Sequence, residues 1–174
     1  MPIYVIDDVI RRLRDSLADL EFGLEQAPAR WHHTLPPESA GLWPRNTWTA
    51  AMNLAHLTIY EESMALRVLR SFEPGFDPAG ERRGGNESWF YNDALALSGE
   101  SIESMLSRLR SARRQQIDLV QSLGETRLNS GVTPLWPEPH HTAGWVVTKT
   151  FQHTWEHGNA ILQVCSDRWY DRLP

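Results

Sequence analysis

The stretch FQHTWEHGNAIL, residues 151–162, places His153 and His157 four positions apart in a run without proline. In a helix, side chains at i and i+4 lie one above the other with Cβ atoms about 5–6 Å apart, so both imidazoles can reach one cation. Such pairs also arise by chance, and this one becomes a metal site only with a third donor. His56 is the candidate, set between Ala55 and Leu57 in the apolar stretch WTAAMNLAHLTIYEESM. Taken alone it reads as a satisfied core or boundary residue. Joined to the pair, it gives three nitrogens on one side of an ion and leaves the opposite side for water or substrate. His32-His33 and His140-His141 compete as donors, but adjacent residues point apart, so both pairs read as loop or rim residues, with His141 the one that could reach a pocket mouth. Asn53 and Tyr60, on the His56 side of the same segment, are candidate substrate contacts. Glu61 and Glu62 fall about 140° and 240° around the helix from His56 and read as solvated or paired with arginines of the first helix.

Four amphipathic segments must position these residues. Between residues 6 and 24, Ile6, Val9, Ile10, Leu13, Leu17, Leu20 and Leu24 recur every three or four positions with charges between them, which is a helix. Thr49 is the expected N-cap of a second helix, running to about Arg70. A third begins near Ser98 and closes at Gly124. The fourth follows Thr142 as cap, spans about 143–166 and carries the histidine pair. Its face through Val146, Thr150, Ala160, Ile161 and Val164 is an interior face, while Phe151, Trp155 and Leu162 lie away from it, with Trp155 expected to fill the core. No stretch alternates with period two between hairpin turns, so strands are not expected. Helices of this length, about 30 Å each, make an all-α four-helix bundle the economical fold, with long crossover loops and one domain over residues 1–174. The connection from Ser71 to Leu97, rich in Pro and Gly, reads as a crossover, a lid or a partly disordered loop, whose Trp89, Phe90 and Tyr91 could cover a pocket or equally anchor the loop to the bundle.

At the motif level, WTAAMNLAHL is similar to the W-[ST]-…-H-L start of the second helix in the DinB/YfiT-like superfamily. HTWEHGNAIL is similar to that family's H-x-x-x-H-[GR] pattern on the fourth helix. The helix order resembles the family over essentially the whole chain, although only about 20 residues carry motif-level similarity. Carried over by position, the resemblance implies metal ligation by His56, His153 and His157, and a homodimer. It further implies a metal-dependent transferase of low-molecular-weight thiols, or a thiol-dependent isomerase or amide hydrolase.

Composition narrows the field. Seventeen basic against 22 acidic residues give a net charge of −5, with no basic block to track phosphates, so nucleic acid is not an expected partner. The lone Cys165 excludes an internal disulfide framework and a Cys-rich zinc ribbon and suits a reducing cytoplasm. The start MPIYVIDDVIRRLRD has acids where a signal peptide needs a basic start, and no apolar run is long enough to cross a membrane. No alternative nucleophile stands out, such as a G-x-S-x-G elbow. The expected cofactor is therefore a divalent transition metal (zinc, nickel or iron), because imidazole suits several ions. A low-molecular-weight thiol could join it, acting on a small-molecule electrophile. A non-catalytic metal or small-ligand binding protein, and a bundle that binds no metal and merely dimerises, are the competing expectations.

Overall fold

The structure is a computed structural model and describes residues 4–35, 48–77, 88–135 and 141–165, with residues 88–90 and 164–165 as backbone only. The side chains of Trp89, Phe90, Val164 and Cys165, together with His140 and residues 78–87 of the expected crossover, lie outside what is described. Every regular element among the described residues is helical. Helix α1 (Ile6–Gln26) opens with Asp7 and Asp8, whose carboxylates meet the positive end of the helix dipole. Its buried stripe runs Val9, Ile10, Leu13, Ser16, Leu20, Gly23 and Leu24. After a 3-10 turn at Ala29–Trp31, α2 (Ala50–Tyr60) starts at Thr49, whose hydroxyl accepts the Met52 N–H at 3.1 Å, as the sequence predicts. It continues through a π-helical turn (Glu61–Ala65) into α3 (Leu66–Arg70), so one rod carries His56 and Glu61.

Three boundaries differ from the sequence reading. A short helix, α4 (Ser88–Leu97), occupies the end of a segment read as loop, and it packs on α2. Helix α5 (Ile102–Asn129) begins a little beyond Ser98, capped by Ser101, whose hydroxyl accepts the Ser104 N–H at 3.1 Å. Gly124 does take a positive φ of 70°, but the chain resumes helical turns to Asn129 instead of stopping. Helix α6 (Ala143–Cys165) begins at Thr142, whose hydroxyl accepts the Trp145 N–H at 3.2 Å.

Four long rods, α1, α2–α3, α5 and α6, make the bundle, and α1 and α6 share its broadest contact. Two glycines permit that closeness. A Cβ on Gly23 would stand 3.2 Å from the Gly158 carbonyl oxygen, tighter than ordinary van der Waals contact. Gly158 directly follows His157, so α6 is pressed against α1 beside the histidine pair.

A polar layer divides the apolar interior. Leu20, Leu54, Leu57, Met105, Leu109 and Ile161 belong to one cluster, and Val9, Leu13, Leu69, Val120, Val147 and Phe151 to the other. Between them, each rod contributes a fully buried polar side chain: Ser16, Glu61, Arg113 and Thr154. Arg113 grips Glu61 with two N–H groups, Nε at 2.9 Å from Oε2 and Nη2 on Oε1. It also donates to Ser16 Oγ and Thr154 Oγ1, each at 2.9 Å, and to the Leu13 carbonyl. Gln116 completes the cage, donating to Glu61 Oε2 at 2.8 Å. Glu61 is thus neither solvated nor paired with α1, contrary to the sequence reading. Glu62 is paired, but with Arg108 of α5, at 2.7 Å. Burial of a charge is tolerated here because its counter-charge and four further hydrogen-bonding groups are buried with it.

Candidate metal centre

One turn from that layer, α2 and α6 bring the three histidines together. His153 Nε2 lies 3.1 Å from His56 Nε2 and 3.1 Å from His157 Nε2, and one ligating atom from each ring falls within 4.8 Å of the other two. Two nitrogens bound tetrahedrally to one zinc at 2.0–2.1 Å stand about 3.3 Å apart, so the spacing suits a shared ion. No His, Cys, Asp or Glu among the described residues joins as a fourth donor.

Aromatic walls enclose the cluster. Trp48 stacks on His157 with centroids 5.8 Å apart and planes 13° from parallel, and tilts against His56 at 5.1 Å. Tyr60 meets His153 edge-on at 4.5 Å, and Tyr91 of α4 reaches Trp48 at 6.4 Å. Burial lowers the pKa of all three imidazoles. His153 falls to about 4, with His56 adding to the effect, and His157 to about 3, with His153 and then His56 adding to it. Burial also pushes the Tyr60 phenol up to about 12, against the hydrogen bond from Thr150 and with the Glu61 charge. The rings are therefore neutral at pH 7, and neutral imidazole is the form that ligates metal.

The outer nitrogens are held unequally. His157 Nδ1 is 2.7 Å from Asn53 Oδ1, while Asn53 Nδ2 donates to the Thr49 and Trp48 carbonyls at 3.0 and 3.3 Å. Asn53 therefore touches a candidate ligand, where the sequence suggested a substrate contact. His153 Nδ1 is buried without a partner among the described residues.

The other candidates stand apart. His32 Nε2 bonds the Ala27 carbonyl at 2.9 Å and His33 Nδ1 the Ser98 carbonyl at 3.1 Å. His141 is buried against Trp145 with centroids 4.1 Å apart and is not in the cluster. Trp155 is 36% exposed and donates to Asp19 at 2.8 Å, so it sits at the α1–α6 boundary and does not fill the core. A separate groove of about 400 Å³, lined by residues that include Arg14, Leu17, Arg114 and Ile117, contains none of the three histidines.

An all-helical bundle with a three-histidine cluster between its second and last long rods is the class that fold and site define. The chain belongs to the DinB superfamily, whose family model matches residues 7–161. No curated protein and no solved structure matches it.

Proposed function

We propose that His56, His153 and His157 hold a divalent transition metal, zinc, nickel or iron, and that the protein is a metal-dependent enzyme. It would activate a small thiol or water against an electrophilic small molecule, as a thiol transferase, isomerase or hydrolase. One observation supports this reading: three neutral Nε2 groups face one another, and no other side chain among the described residues joins them as a shared partner. A cation satisfies all three lone pairs at once, whereas without one a single N–H on His153 has to serve two neighbouring nitrogens. Once bound, the ion supplies the positive charge that lowers the pKa of a thiol or water reaching it.

This chain's own residues do the rest. Among the described residues three protein donors leave the remaining coordination open, which favours catalysis over the competing non-catalytic binding role, for which a fourth protein ligand would be expected. Trp48 and Tyr60 flank the imidazoles, exclude water from their sides and offer ring faces to an apolar part of the substrate. The reading includes one domain over residues 1–174, a cytoplasmic location, and a low-molecular-weight thiol as co-substrate. It also includes a homodimer formed through helix faces bearing the exposed Phe22 and Trp155.

The test is consumption of a low-molecular-weight thiol against an aryl halide and an epoxide, with protein reconstituted separately with zinc, nickel and iron. Turnover above the thiol-only rate, absent in His157→Ala, is the expected result. A loaded wild type that accelerates neither thiol addition nor hydrolysis of an activated amide would reduce the protein to the binding role.

A further inference from the structure

The hydrogen bonds around the cluster bear on which nitrogen of His157, and through it of His153, carries the proton. Asn53 lies in the first turns of α2, and its carboxamide touches three groups: the carbonyls of Trp48 and Thr49, and His157 Nδ1. Carbonyls only accept, so the NH2 end must face them and the oxygen end must face the ring. That oxygen only accepts as well, which places a proton on His157 Nδ1 and leaves its Nε2 a bare lone pair. His153 Nε2 lies 3.1 Å from that nitrogen and 3.1 Å from His56 Nε2, so in the absence of a cation its contact with His157 is a hydrogen bond only if His153 carries its proton on Nε2, shared between the two neighbouring nitrogens. His153 Nδ1 is then an acceptor without a donor among the described residues, consistent with its being buried and unpartnered there, since a buried orphan N–H is the rarer and costlier case.

We propose that Asn53 is a positioning residue that locks His157 in the Nδ1–H tautomer with Nε2 ready to ligate, whereas His153 must exchange tautomers to complete the donor set. In that exchange the Nε2 proton leaves to solvent and Nδ1 takes one up, with no net release. The second half of the proposal rests on the metal reading above; the first does not. His157 is the preset ligand and His153 the gate, although the two share a helix face and the same apparent motif.

Long-range proton–nitrogen correlation spectra of 15N-histidine-labelled protein at pH 7.5 test this, with the three rings assigned through single substitutions. Metal-free protein should show His157 as Nδ1–H and His153 as Nε2–H, and zinc alone should convert His153 to Nδ1–H while leaving His157 unchanged. Asn53→Leu, which removes the acceptor, should leave His157 in mixed tautomers and weaken zinc binding about 10–100-fold. Asn53→Asp, which retains an oxygen facing the ring but loses the donation to the Trp48 and Thr49 carbonyls, should keep the Nδ1–H tautomer even where it lowers stability. Should Asn53→Leu fail to fold, the wild-type spectra still decide. An Nε2–H His157 in the metal-free wild type overturns the positioning role, and a His153 already Nδ1–H before zinc overturns the gate. Correct tautomers in a protein that takes up no zinc sustain the role of Asn53 while overturning the metal reading and the gate.

Discussion

At the scale of single residues, the site's character follows from burial of three neutral rings. A histidine whose folded pKa is depressed contributes stability that is present in full above its unfolded value of about 6.5 and is lost as pH falls toward the folded value. For His153 and His157 the folded values are about 4 and about 3, so the metal-free protein should weaken steadily below pH 6.5. The loss is on the order of 2 kcal/mol per ring by pH 5, since 1.5 pH units separate that pH from the unfolded value. Urea unfolding of metal-free protein at pH 7.5, 6 and 5 measures it, with His153→Leu/His157→Leu as the reference for every other titrating group. Equal pH dependence in wild type and double variant would mean that the rings are not buried as neutral species. The three histidines themselves were legible in the sequence because i, i+4 spacing is a local property and His56 stands in an apolar helix. The link from Asn53 to His157 was not, since it spans 104 positions and depends on which way one carboxamide points.

At the scale of elements, the buried ionic layer links the four rods through one hydrogen-bonded network. Removing one partner strands the other charge, so Arg113→Leu should cost about 3–5 kcal/mol in urea unfolding. Glu61→Leu/Arg113→Leu should recover most of that loss. A double variant no more stable than Arg113→Leu would show that the pair itself, and not the stranded carboxylate, is what the fold requires. The layer escaped the sequence reading for two physical reasons. A helical wheel at 3.6 residues per turn does not foresee a π-helical turn at Glu61–Ala65, and a glutamate is expected inside only when a distant partner is known. Arg113 lies 52 positions away. The helix caps Thr49 and Thr142 were readable because their hydroxyls act within three residues, whereas α4 was hidden in a segment dominated by proline and glycine.

At the scale of the whole molecule, apolar periodicity was enough to foresee an all-helical bundle, because each rod must bury one stripe against its neighbours. How closely α1 and α6 approach was not foreseeable, because it rests on Gly23 and Gly158 meeting across the interface. A ligand that binds only the folded state stabilises it, by about 2.7 kcal/mol at one hundred times its Kd. For a chain of this size zinc at that concentration should raise Tm by about 5–11 °C, reversed by a chelator and absent in His157→Ala. An equal shift in His157→Ala would assign the stabilisation to zinc bound elsewhere. The most direct test of the shared site is metal content by plasma mass spectrometry on tag-free protein, wild type beside His56→Ala and His153→Ala. About one ion per chain, lost in both variants, is expected if α2 and α6 converge on one ion. A wild type that holds no ion after reconstitution with zinc, nickel or iron would contradict the metal centre, and an ion retained in either variant would contradict the three-histidine donor set.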